Sequence, residues 1–257
     1  NIIKNIGYVR LTTFSDTTTS GLEKSVDEIK KELGKKFQGL ILDLRNNGGG
    51  SLQSVVDMTG LFIEKGPIVQ VKSIGNRKKV LYDRNPEIVW DGPLVVLINE
   101  MSASASEILA AALQDYKRAV IIGSEKSFGK GTVQNIIDLN KFISNSNFDM
   151  GALKITTDKF YRVNGGSTQL EGVKSDITFP NRYSYIDIGE RDLENPLNWD
   201  KIDPARYNSL DKMFNYSKLI SNSNERIRNS EFFSLIDEHA SWVRSQQDDK
   251  TISLEYN

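Results

Sequence analysis

The stretch Gly39-Leu40-Ile41-Leu42-Asp43-Leu44 runs directly into Arg45-Asn46-Asn47-Gly48-Gly49-Gly50, and Ser51 to Phe62 follows with apolar residues at helical spacing. A short continuous apolar run that ends in turn residues is the pattern of a strand buried on both faces. Strand, glycine turn and helix thus form one α/β unit. The arrangement recurs at Pro93 to Asn99 (PLVVLIN), where Met101-Ser102-Ala103-Ser104-Ala105-Ser106-Glu107 leads into Ile108 to Tyr116. That spacing predicts a helix starting near Ser104.

Outward from these two junctions, Ile6 to Phe14 reads as a strand and Ser20 to Leu33 as an amphipathic helix. Pro67 to Val71 and Lys79 to Tyr82 read as strands around a Gly75-Asn76 turn, and Ala119 to Ile122, Thr132 to Leu139 and Leu153 to Val163 as further strands. A polar loop is expected at Ser144 to Phe148 and a turn at Gly165-Gly166. Beyond Arg182 the chain becomes charged and rich in Asn and Ser, with helices predicted near Ser209 to Ile220 and Glu231 to Ser245 and a short polar linker at Ser221 to Asn224. A boundary is placed between 183 and 195, which divides the chain into an α/β core over 1–190 and a mainly helical extension over 191–257.

Composition narrows the chemistry. The 257 residues are 38% hydrophobic and 26% charged, and a chain of this size buries roughly 70 to 75% of its unfolded surface. No apolar run reaches the roughly 18 to 20 residues of a membrane span. Lys and Arg total 33 against 34 Asp and Glu, so no global field favours nucleic acid. With no Cys and one His, thiolate nucleophiles, Cys-based metal sites and multi-His metal sites are excluded, and no cofactor is expected. Catalysis, if present, rests on hydroxyl, carboxylate, amine, amide and backbone groups. Asn1 opens the chain with neither Met nor a leader, which reads as an excised or processed piece.

Three segments carry candidate chemistry. Gly48-Gly49-Gly50 at the end of a buried strand lets amide N–H groups face a ligand, although it also serves as a tight strand-to-helix turn. Its spacing does not match a dinucleotide fingerprint. Ser102, Ser104 and Ser106 cluster at the mouth of a helix, whose dipole favours negative charge, while Ser104-Ala105-Ser106-Glu107 equally fits a capping box. A serine nucleophile needs a base, and the lone His239 lies far along the chain in the region of different texture. Lysine is the alternative base, since burial lowers the pKa of an amine. Lys130 stands between glycines in Ser127-Phe128-Gly129-Lys130-Gly131-Thr132, where a P-loop would require Gly in place of Ser124 and Ser or Thr in place of Gly131. Gln134 follows at an even spacing that would share a strand face with Lys130, and a hairpin glycine pair with a solvated lysine is the bland alternative.

Taken together, Asp43-Leu44-Arg45-Asn46-Asn47-Gly48-Gly49-Gly50, Ser102-Ala103-Ser104-Ala105-Ser106-Glu107-Ile108 and Phe128-Gly129-Lys130-Gly131-Thr132-Val133-Gln134 resemble the tail-specific, or carboxyl-terminal processing, proteases in order and spacing. Gln114-Asp115-Tyr116, Lys159 to Gln169 and Gly172 to Ile177 resemble the bacterial periplasmic branch in particular. The resemblance implies an α/β fold with a crotonase-like and Clp-protease-like ββα layered core and a C-terminal helical extension. It also implies a Ser/Lys dyad endopeptidase: Ser104 as nucleophile, Lys130 as base, Gln134 orienting the lysine, and an oxyanion hole from the Ala105 amide and the glycine turn, with Gly49 preferred over Gly50. Asp115 and Glu107 match supporting acidic positions. The interval from Ser104 to Lys130 is one residue longer than the family pattern, which places an insertion at Ser124-Glu125-Lys126-Ser127.

The implied partners are proteins or peptides with free C-terminal tails, with room for an adaptor protein, and the implied location is the periplasm or cell envelope. The family's peptide-binding PDZ domain has no counterpart in residues 1 to 5, so a catalytic core without it is expected. Two rivals remain: a catalytically silent peptide-binding or scaffold module on the same fold, and a crotonase-like acyl-CoA enzyme, which would use acidic catalytic residues instead.

Overall fold

Burial on both faces is what turns an apolar run into a central strand, and the strand at 39–43 shows it. Leu40, Leu42 and Leu44 are all but inaccessible to solvent. The computed structural model describes residues 1–142, 148–210, 214–249 and 251. In chain order the strands are β1 (Ile2–Ile3), β2 (Ile6–Arg10), β3 (Gly39–Asp43), β4 (Gly66–Ser73), β5 (Lys78–Asp83), β6 (Leu94–Ile98), β7 (Val120–Gly123), β8 (Thr132–Asp138), β9 (Ala152–Tyr161) and β10 (Ile177–Thr178). The helices are α1 (Thr18–Leu33), α2 (Leu52–Gly60), α3 (Ala105–Asp115), α4 (Tyr216–Arg228) and α5 (Glu231–Asp248).

The strands form two sheets. One runs β1-β2-β3-β6-β7-β10 and is parallel from β2 onward; the other, β5-β4-β9-β8, is antiparallel throughout. Helix α3 packs against β7 of the first sheet and β4 of the second, and most of its residues are buried, so it reads as apolar nearly all round. Tyr116 just past its end donates to the Pro67 carbonyl at 3.0 Å, tying helix to second sheet. This is the expected layered α/β core followed by helices.

The Gly75-Asn76 turn is present between β4 and β5, both residues having positive φ (83° and 64°), as a twist-matched hairpin turn requires. Two expectations for the C-terminal region change. The first helix starts at Tyr216, capped by Asn215 Oδ1 accepting the Lys218 N–H at 3.1 Å, rather than at Ser209, and residues 211–213 of the expected span lie outside the described residues. Ser221 to Asn224 is not a linker but the middle of α4; Ser223 is buried there, and packing outweighs the modest helix propensity of Ser and Asn. Residues 144–147 of the expected polar loop also lie outside the described residues. The extension docks on the β7/β10 edge, where Phe233 stacks on Phe179 and the Tyr216 hydroxyl donates to the Ala119 carbonyl at 3.2 Å.

Candidate active site

The turn after β3 and the loop after β6 lie side by side because β3 and β6 are neighbours in the parallel sheet. Hydrogen bonds then bind the two loops together. Asn99 Oδ1 accepts the Asn46 N–H, and Asn99 Nδ2 donates to Asn46 Oδ1, both at 2.8 Å. The Ser102 hydroxyl donates to the Leu44 carbonyl at 2.9 Å, and the Ser106 hydroxyl to the Asn47 carbonyl at 2.8 Å. Both hydroxyls are fully buried and consumed. Of the three clustered serines, Ser104 alone lines the cavity between the two loops.

That cavity, about 220 Å³, has Gly48, Gly50, Ser104, Ala105, Lys130 and Gln134 on its polar side and Leu52, Ile108, Val133 and Phe160 as apolar walls. Other clefts are larger, two of them, about 670 and 500 Å³, where Phe179 to Tyr183 meet the C-terminal helices and two more, about 390 and 240 Å³, elsewhere, but none of these four contains the serine, the lysine or the glycine turn. Chemistry rather than size picks out the smaller one.

Ser104 sits at the N-cap of α3 with φ 57° and ψ −114°, a conformation that is costly for a residue with a side chain. Gly49 makes room for it: a Cβ at Gly49 would lie 2.8 Å from Ser104 Cβ and 2.9 Å from the Ala105 nitrogen. The dipole of α3 points its positive end at Ser104.

Glu107 closes one half of the capping box, its Oε2 accepting the Ser104 N–H at 2.8 Å, and does more besides. The same oxygen accepts the Lys130 N–H at 2.9 Å, while Oε1 accepts the Gly129 N–H at 2.7 Å and the Ser127 hydroxyl at 2.6 Å. One inaccessible carboxylate thus fixes the backbone of serine and lysine together. Burial pushes its pKa up to about 7, against the lowering effect of those four donors. Lys130 lies before β8, and among the described residues no acceptor bonds its Nζ, so serine and lysine share the cavity without a direct hydrogen bond.

Three of the expected site residues stand as follows. Gly49 donates its N–H to Asn47 Oδ1 at 2.9 Å and does not line the cavity, whereas Gly50 does. Gln134 lines the cavity, but its Nε2 donates to Thr132 Oγ1 (2.8 Å) and Thr156 Oγ1 (3.4 Å) and not to the lysine. Both side chains nonetheless face the one cavity, as their even spacing implied, and the register shift beside Gln134 puts its extra residue, Thr157, on β9. Asp115 stands at the far end of α3, roughly 15 Å from Ala105 at 1.5 Å per residue, and pairs with Arg162 at 2.7 and 3.0 Å. It anchors the helix rather than lining the site. His239 is exposed on α5 beside Trp242. Sequence reasoning missed Asn47, Asn99 and Ser127; Asn47 lies inside the first of the three motifs, whereas Asn99 and Ser127 lie just before the second and third.

A parallel sheet whose loops bring a glycine turn, a strained serine at a helix mouth and a lysine around one cavity defines a serine-hydrolase-like architecture. The chain belongs to peptidase family S41, whose model matches residues 5–179, and residues 183–257 match the C-terminal domain of tail specific protease. It is similar to a tail-specific protease of Haemophilus influenzae, 40% identical over 257 residues, covering 98% of this chain and 36% of that protein. A carboxy-terminal-processing protease of Bartonella bacilliformis is 39% identical over 197 residues, covering 74% and 43%. Among solved structures, a photosystem II D1 C-terminal processing protease superposes with a TM-score of 0.59 at 33% identity, covering 68% of this chain and 42% of that one. The chain therefore spans less than half the length of these relatives. No helix among the described residues is long and apolar enough to cross a membrane.

Proposed function

We propose that this chain carries the catalytic core of a serine endopeptidase that cuts proteins near their C-terminal tails through a Ser104/Lys130 dyad. The observation that carries the reading is the shared cavity: Ser104, Lys130 and the glycine turn open onto it, and Glu107 holds the first two by their backbones. In the reaction, Lys130 Nζ in its neutral form takes the Ser104 hydroxyl proton as Oγ adds to the scissile carbonyl. The oxyanion is met by the Ala105 N–H at the helix mouth and by the Gly50 N–H of the turn. Collapse of the tetrahedral intermediate expels the amine, which receives its proton from Lys130. Water then adds to the acyl-enzyme by the same proton route, releasing the acid and Ser104.

The apolar walls suit an apolar side chain next to the cleaved bond. Substrates are proteins with free C-terminal tails, an adaptor is a candidate partner, and the site of action is the bacterial envelope, all three by resemblance to the family. Peptide cleavage and fluorophosphonate labelling test the dyad in the natural protein that carries this chain. Ser104→Ala and Lys130→Ala should each abolish cleavage, Ser104→Ala should abolish labelling, and His239→Ala should retain both. Substantial turnover by Lys130→Ala would refute the lysine base, and labelling at another serine would refute the nucleophile.

A further inference from the structure

We propose that Asn47 is the positioning residue of the oxyanion hole: by gripping Gly49 from inside, it turns the Gly50 N–H toward the cavity. The proposal rests on the peptidase reading above. Three consecutive glycines have no side chains with which to hold a conformation, so the orientation of their amides must be imposed by neighbours. Two neighbours do so. On one side, the Phe14 N–H donates to the Gly49 carbonyl at 3.0 Å, and the Ser51 N–H donates to the Phe14 carbonyl at 2.8 Å. Because a trans peptide points its C=O and N–H in opposite directions, a Gly49 carbonyl held toward Phe14 sends the Gly50 N–H the other way. Gly50 lines the cavity on that side.

On the other side stands Asn47, fully buried, with Oδ1 accepting the Gly49 N–H at 2.9 Å. An Asn side chain bonded to the amide two residues on is often no more than a local turn. Here the remaining groups reach much further. Nδ2 donates to the Leu11 carbonyl at 3.0 Å, and the Asn47 carbonyl accepts both the Ala103 N–H at 3.0 Å and the Ser106 hydroxyl at 2.8 Å. Those last two donors flank Ser104 in sequence. Asn47 therefore ties the turn that supplies one oxyanion donor to the loop that supplies the nucleophile and the other donor, Ala105. A shift of this residue would misdirect the Gly50 amide relative to Ser104 without touching substrate.

The test compares Asn47→Ala and Asn47→Asp in the natural protein, after confirming that the parent cleaves peptide and Ser104→Ala does not; failure of that control would count against the peptidase reading rather than against Asn47. Asn47→Ala should lower kcat by on the order of 100-fold, as loss of an oxyanion donor does, with KM little changed. A peptide boronate, which forms a tetrahedral adduct on the serine, should lose affinity in the same proportion, while substrate binding measured in a Ser104→Ala background should hold. Asn47→Asp keeps the acceptor for Gly49 and should recover part of kcat. Normal kcat in folded Asn47→Ala, or kcat and KM failing together in step with melting temperature, would overturn the proposal. Should neither variant fold, glycine-labelled parent protein still decides by NMR. On boronate addition the Gly50 amide resonance should move and that of Gly49 should not, and the reverse result would overturn the assignment.

Discussion

The backbone N–H groups of Ser104 and Lys130 converge on one oxygen, Glu107 Oε2, at 2.8 and 2.9 Å. The residue proposed to attack and the residue proposed to accept its proton are thus registered by a third group that touches neither functional atom. A carboxylate offers only acceptors to its four donors, whereas an amide must turn an NH₂ group toward two of them. Glu107→Gln should therefore displace either the Ser127/Gly129 side or the Ser104/Lys130 side. A fall in kcat on the order of tenfold or more is expected, in line with the sensitivity of catalysis to small misplacements, and steady-state kinetics on folded variant checks it.

Titration of the same group links pH to stability. Its pKa in the folded protein is pushed up to about 7 from an ordinary 4.5. Between those values the folded state binds more protons than the unfolded state, so this group's contribution is fully present below about 4.5 and is lost as pH rises through 7. The swing is about 3 kcal/mol at most, at 1.36 kcal/mol per pKa unit. Activity should run the other way, since only the carboxylate satisfies four donors. Melting temperature measured from pH 4.5 to 8 should fall more steeply in the parent than in Glu107→Gln; parallel slopes would contradict the assignment.

Gly49→Ala tests the packing behind the nucleophile. The new Cβ would sit 2.8 Å from Ser104 Cβ at a φ of 106°, so either the turn or the serine must move. Cleavage and fluorophosphonate labelling should fall together, by on the order of 100-fold for a displacement near 1 Å. Unimpaired labelling would show that the turn yields instead.

Lys130→Arg separates charge from proton transfer. The guanidinium keeps the positive charge but stays protonated and cannot serve as a base. No cleavage is expected at any pH at which the protein folds, and measurable turnover would remove Lys130 from the dyad.

Asp115 makes a different prediction from the other acidic residue. With its side chain 6% exposed and paired to Arg162, Asp115→Ala leaves a largely buried guanidinium with less compensation. A loss of about 3 kcal/mol is expected for breaking such a pair, seen as a melting temperature lower by roughly 6 to 12 °C. An unchanged melting temperature would show that the pair is not structural.

Sequence alone made the two strand-loop-helix junctions legible because both announce themselves locally: an apolar run, small or turn residues, then helical periodicity. The helix start at Ser104 and the glycines around Lys130 were legible for the same reason. What escaped was whatever depends on pairs distant in the chain. Glu107 was visible as a cap, but its bonds to Ser127, Gly129 and Lys130 span 20 to 23 residues and follow from how β7 returns beside β6. The surroundings of Gly49 and Gly50 depend on Phe14 and Asn47, and the bond from Gln134 to Thr156 depends on the pairing of β8 with β9.

The crossing order of the two sheets also bears on synthesis. The cavity takes Gly50 from the turn after β3, Ser104 from the loop after β6, Lys130 from the link between sheets and Phe160 from β9. At roughly 5 to 20 residues per second, a ribosome releases these parts in sequence over several seconds. Until the segment around Lys130 emerges, Glu107 lacks three of its four donors and nothing registers Lys130 against Ser104. A growing chain therefore carries Ser104 before its proposed partner Lys130 is in place, and the arrangement proposed to cut peptides appears only when the antiparallel sheet closes over α3.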